Sequence, residues 1–135
     1  MSEENKRIAR AYFEALDAEK SPPASICAPD FVLHIAGYPD MDIDSAKTFT
    51  TDLVAAVPDL RHPIVELVAE GDKVCYRGRY EGIQTGSYLG SRQTSGRLSA
   101  TGMGMLRIAG GKVAEVWIWP DVMSVMQQLG VSSQS

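Results

Sequence analysis

Residues 97–121 read RLSATGMGMLRIAGGKVAEVWIWPD, and this stretch decides the fold. Leu98, Ala100, Gly102, Gly104, Leu106 and Ile108 alternate with Arg97, Ser99, Thr101, Met103, Met105 and Arg107. A period of two puts the first set on one face of a long strand and the second on the other. Gly110-Gly111 is a hairpin signal, so a second strand runs back over Lys112 to Trp119. Pro120-Asp121 closes that strand and opens a short helix of Val122, Val125, Met126 and Leu129, stopped at Gly130.

Working outward, Lys73 to Glu81 alternates Val74, Tyr76 and Tyr80 against Cys75, Arg77 and Arg79. A short turn at Gly71-Asp72 joins it to an earlier strand, Arg61 to Glu70, and a polar loop over 82–95 leads onward. The first half of the chain is helical. Glu3 and Glu4 suit a first turn behind a Ser2 cap, and Ile8, Ala11, Tyr12, Ala15 and Leu16 share one face. Ser21-Pro22-Pro23 ends that helix, and a second short one is expected over Ala24 to Cys27. Phe31 to Ile35 reads as a strand. Asp42 or Asp44 caps the next helix, with Ala46, Phe49, Leu53 and Val57 as its stripe and Pro58 as its stop. Early helices and late antiparallel strands predict the α+β class: a curved antiparallel sheet wrapped around helices into a cone with a cavity at its open end.

The 135 residues suit one domain over 1–135, with its core at about 5–130. The net charge is −4, from 13 Lys and Arg against 17 Asp and Glu, which argues against a nucleic-acid partner. No apolar run is long enough for a membrane span, and Met1 to Arg10 carries no leader-like apolar stretch, so a cytoplasmic protein is expected. Cys27 and Cys75 form no CxxC and read as buried thiols. His34 and His62 have no metal-ligand spacing, so no metal site is expected.

Three residues carry candidate chemistry. Asp121 follows Trp117-Ile118-Trp119-Pro120, where desolvation by large rings would raise its pKa and suit it to proton transfer. The same position before a helix is that of an N-cap. His34 can shuttle protons or be a structural strand histidine. Tyr12, on the buried face of the first helix, can offer its hydroxyl to a substrate oxygen or bond within the core. Gly102 and Gly104 either leave ligand volume on the apolar face or bend the sheet. Arg77 and Arg79 pair with acids across strands or hold an oxygen. Met103 and Met105, on the opposite face, form an adaptable patch suited to a dimer.

The ordered series RIARAYFEALDA, CAPDFVLHIAG, VPDL, AEGDKVCYRGRYEG, TGSYLG and ATGMGMLRIAGGKVAEVWIWPD resembles the SnoaL-like polyketide cyclase family, from about Asn5 to Gly130. That family lies in the nuclear transport factor two-like superfamily. The resemblance implies a cone-shaped, cystatin-like α+β barrel, often a homodimer, with a deep pocket for a small apolar molecule. It implies a cofactor-independent cyclase or isomerase that moves a proton on a polyketide-like, terpenoid or aromatic carbonyl compound. A non-catalytic binding or dimerisation module of the same fold is the alternative. By resemblance, Asp121 stands where the cyclases keep their acid/base, Tyr12 where related isomerases polarise the substrate oxygen, and His34 where those isomerases place a proton-moving aspartate. Trp117, Trp119, Tyr38 and Phe49 are the expected walls. Gly104 replaces an acid common among relatives, and with Gly78 and Gly102 it suggests an enlarged or reshaped cavity.

Overall fold

The computed structural model describes residues 2–87 and 96–128. Helix α1 spans Ser2–Glu19 and buries Ile8, Ala9, Tyr12, Phe13 and Leu16. This face is rotated from the expected one, because burying the Phe13 ring removes more apolar surface than burying Ala11 or Ala15. No helix forms over Ala24 to Cys27. Instead the amides of Ile26 and Cys27 both donate to the Pro23 carbonyl, and the turn feeds straight into strand β1, Cys27–Ile35.

Helix α2 spans Ile43–Ala56. Of the two aspartates, Asp42 is the cap: its carboxylate accepts from the Ser45 amide at 2.8 Å. The helix stops at Val57, ahead of Pro58, as steric conflict with a following proline requires.

Four strands complete the sheet: β2, Ile64–Glu70; β3, Lys73–Ile83; β4, Arg97–Ala109; and β5, Lys112–Pro120. Helix α3, Val122–Gln128, follows; the expected helix end at Leu129 and Gly130 and most of the polar loop lie outside the described residues. β2 starts three residues later than expected. Pro63 cannot donate to a ladder, so Arg61 makes only an isolated bridge to Glu81 before the strand begins.

The sheet order is β1-β5-β4-β3-β2. From β5 to β2 every pairing is antiparallel, but β1 lies parallel to β5, which corrects the expectation of an all-antiparallel sheet. Gly110 and Gly111 take φ of +58° and +77°, the left-handed pair that a two-residue hairpin needs. Helices cover one face of the sheet, over a core that includes Phe31, Val74, Leu106, Val113 and Val116. A smaller cluster of Ala56, Val57, Leu60 and Leu98 sits nearer α3.

Of the enlarged or reshaped cavity expected from the glycines, the enlargement is overturned. A methyl group on Gly104 would lie 2.3 Å from the Trp117 carbonyl and 2.6 Å from the Tyr76 ring. One on Gly102 would lie 2.4 Å from the Tyr80 ring, and one on Gly78 would lie 2.8 Å from the Pro63 carbonyl. The missing side chains make room for aromatic rings and backbone, and the space left beside Gly78 and Gly102 is only about 10 Å³.

Candidate functional site

The mouth of the cone holds a cavity of about 110 Å³, room for several waters or a small organic molecule. α1 contributes Tyr12, Phe13 and Leu16; α2 contributes Phe49, Thr50 and Leu53. The sheet supplies Leu33, Ile35, Tyr80, Leu98 and Ile118, and α3 closes one side with Val125 and Met126. Tyr38, Leu60, His62 and Pro120 complete most of the wall.

Few polar groups face this space. The Thr50 hydroxyl is already spent on the Ala46 carbonyl at 2.8 Å. Tyr12 is buried between Phe13 and Phe31, and desolvation, aided by Cys27, keeps its phenol protonated. Tyr38 stands edge-on to Phe49 at 5.3 Å. Tyr80 has its hydroxyl oxygen buried and without a hydrogen bond. Burial pushes that phenol up to about 12, and the nearby Tyr76 hydroxyl offsets part of the rise without the geometry of a proper bond.

His62 brings the one imidazole to the cavity among the described residues. Asp17, at the end of α1, holds it twice: one carboxylate oxygen accepts the backbone N–H at 2.9 Å, the other meets Nδ1 at 2.6 Å. Tyr80 lies perpendicular to the ring at 5.4 Å. The sequence reading weighed His62 only as a metal ligand. Its partner lies 45 positions away, so spacing could not reveal the pair.

The expected site residues divide. Tyr12, Tyr38 and Phe49 line the cavity. Asp121 does not: it is exposed, its carboxylate accepts the Ser124 amide at 3.2 Å, and its carbonyl accepts from Val125, the arrangement of a helix cap. His34 lies on the opposite face of the sheet, stacked on Trp117 at 5.3 Å. Trp119 is more than half exposed on that same outer face, and Gly104 packs beneath Tyr76. Arg77 and Arg79 pair with Glu66 and Glu81, as ordinary sheet electrostatics. Cys27 is buried as expected and its thiol is pushed up to about 11 by burial, but Cys75 is exposed. Among the described residues, no cluster of His, Cys, Asp and Glu could hold a metal ion. No helix among them is long and apolar enough to cross a membrane.

His34 belongs to an outer-face network. Its Nε2 meets Glu115 at 2.6 Å and its Nδ1 meets Asp40 at 2.8 Å; Arg107 also holds Glu115. Burial works to lower the pKa of His34, but the bonds to Glu115 and Asp40 outweigh it and the net shift is upward. Glu115 moves down, chiefly through its bond from His34. A raised histidine pKa contributes stability that is complete below the ordinary value of 6.5 and lost as pH rises through the folded value. The loss in melting temperature caused by His34→Gln should therefore be larger at pH 6 than at pH 9; equal losses at both would contradict the ion-pair reading.

A five-stranded curved sheet with three helices and a mostly apolar cavity defines the small-molecule-pocket class of α+β cones. The chain belongs to the SnoaL-like polyketide cyclase family, whose model matches residues 6–129. A solved structure from Jannaschia sp. CCS1, described as a SnoaL-like polyketide cyclase, superposes with a TM-score of 0.85 at 21% identity, covering 97% of this chain and 94% of that one. AclR of Streptomyces galilaeus, described as a hydroxylase, gives 0.86 at 22% identity, covering 99% and 89%. IdmH of Streptomyces antibioticus, described as a polyketide cyclase, gives 0.81 at 23% identity, covering 94% and 99%. At such identities these structures establish the fold alone. Among curated proteins, none matches the chain by sequence.

Proposed function

We propose that the chain is one domain that takes a small apolar carbonyl compound, polyketide-like, terpenoid or aromatic, into this cavity and moves a proton on it without a cofactor, as a cyclase or isomerase. The observation that carries the reading is the cavity itself: a mostly apolar wall that includes Tyr12, whose phenol burial keeps protonated. Apolar walls with a few placed polar groups are the usual form of a small-molecule site. Tyr12 is the oxygen-polarising donor in this reading. Asp121 and His34 stand outside the wall and are not given the proton. Cys27 and Cys75 are both free, which fits a cytoplasmic setting.

The test is the rate of α-proton exchange into β-tetralone, a small aromatic ketone, in heavy water. Acceleration over buffer supports the enzyme. Binding without acceleration supports a non-catalytic binder of the same fold. Asn caps helices as well as Asp does, so Asp121→Asn is expected to leave both fold and exchange unchanged; a lost rate would return the acid/base role to Asp121.

The same reading includes a homodimer. The outer face carries exposed Val68, Met103 and Trp119, at 61%, 57% and 54%. Strand register sets them in a band with Cys75, Met105 and Trp117. A continuous apolar band of this kind marks a contact surface, and a second copy offers a self-complementary one. Light scattering should report a dimer that Met103→Glu with Trp119→Glu converts to a folded monomer. A monomeric parent protein would refute this assembly.

A further inference from the structure

We infer that His62, oriented by Asp17, is the proton-transfer group of this cavity, working with the Tyr12 donor already proposed. This rests on the pocket reading above and names the groups that perform its chemistry.

The clamp on His62 carries it. One Asp17 oxygen accepts the His62 backbone N–H at 2.9 Å and the other faces Nδ1 at 2.6 Å. A carboxylate accepts, so the proton of the neutral ring sits on Nδ1 and Nε2 keeps its lone pair. Among the described residues nothing bonds Nε2, and the ring lines the cavity. His34 makes the contrast: both of its nitrogens are engaged, on the far face of the sheet. Tyr12 lines the same cavity, so base and donor share one apolar space.

The step balances without an oxidant or a metal. Nε2 takes a proton from the carbon next to the carbonyl. The C–H electron pair becomes the enolate C=C bond, and the C=O π pair moves to oxygen, which the Tyr12 O–H stabilises. The imidazolium then returns the proton, either to another carbon (isomerisation) or to the alkoxide formed once the enolate carbon has closed on a second carbonyl. Asp17 touches no substrate in this scheme and is a positioning residue.

The experiment is β-tetralone exchange in heavy water, with affinity measured in parallel by titration for each variant. His62→Gln should lose about 100-fold or more of the exchange rate, the scale of a general base, while still binding the ketone. Asp17→Asn should lower kcat with little change in KM, and Asp17→Glu should restore part of it. Tyr12→Phe should slow exchange while the ketone still binds. Exchange undiminished in His62→Gln would overturn the assignment and leave the pocket reading standing. Binding by the parent protein with no acceleration would also overturn it. Absence of binding would bring down the pocket reading and this inference together. Should His62→Gln not fold, Asp17→Asn decides: a full rate there would overturn the inference.

Discussion

Gly104→Ala is expected to destabilise the protein by about 3 kcal/mol or more, at or beyond the upper end for overpacking a core. In most strand interiors the same change is neutral or helpful, because alanine restricts the unfolded chain. Here the added methyl would meet the Trp117 carbonyl at 2.3 Å and the Tyr76 ring at 2.6 Å. The carbonyl belongs to β5, which β1 and β4 grip on both sides, so it cannot retreat alone. Tyr76 is 5% exposed and packs against Phe13 at 4.7 Å, so its ring has nowhere to turn. Domains are stable by only about 5–15 kcal/mol, so the urea midpoint should fall sharply. A loss below about 1 kcal/mol, the scale of ordinary propensity differences between strand residues, would mean that the sheet yields where the packing says it cannot.

Leu53→Trp is expected to weaken ligand binding by about 10- to 100-fold while leaving the fold intact. Leu53 sits on α2, half-buried, and its side chain lines the cavity. An indole there has apolar space to fill, and a ligand could enter only by driving it back into water. Exposing a large apolar side chain costs about 1.5–3 kcal/mol, and each 1.4 kcal/mol is about tenfold in affinity. Titration of β-tetralone into both proteins measures the ratio. Equal affinities would place the ligand elsewhere.

Much of the frame could be read from particular residues. The alternation in β3 and β4, the Gly110-Gly111 turn, the Asp42 cap and the Pro58 stop all act over a few residues, so local spacing carries them. Two features escaped for the opposite reason. The parallel pairing of β1 with β5 joins positions such as Leu33 and Val116, and no local pattern tells a parallel edge from an antiparallel one. The fate of the glycines depended on the register that sets Tyr76 opposite Gly104, because that aromatic ring takes the space the glycine leaves.

The candidate site was legible only where a side chain's role follows from its own element. Tyr12 on the buried stripe of α1 and Phe49 on that of α2 reach the cavity because helical periodicity points them there. Asp121 shows how one position supports two readings: the residue that precedes a helix is placed to cap it, and the carboxylate is spent on the Ser124 amide. His34 and Trp117 alternate onto the outer face. The Asp17–His62 pair required the packing of α1 against the segment that leads into β2. The visible hint was a carboxylate one step beyond Leu16, at the rim of a buried helix face.

The central claim is that this chain holds its ligand in the cavity at the mouth of the cone. Methyl-resolved NMR tests it most directly, with β-tetralone titrated into protein labelled at its leucine, isoleucine, valine and methionine methyl groups. Saturable shifts confined to Leu16, Leu33, Ile35, Leu53, Leu98, Ile118 and Met126 are predicted, all of them wall residues. Shifts centred instead on Val68, Met103 and Met105 would put the ligand on the outer face of the sheet and contradict the account.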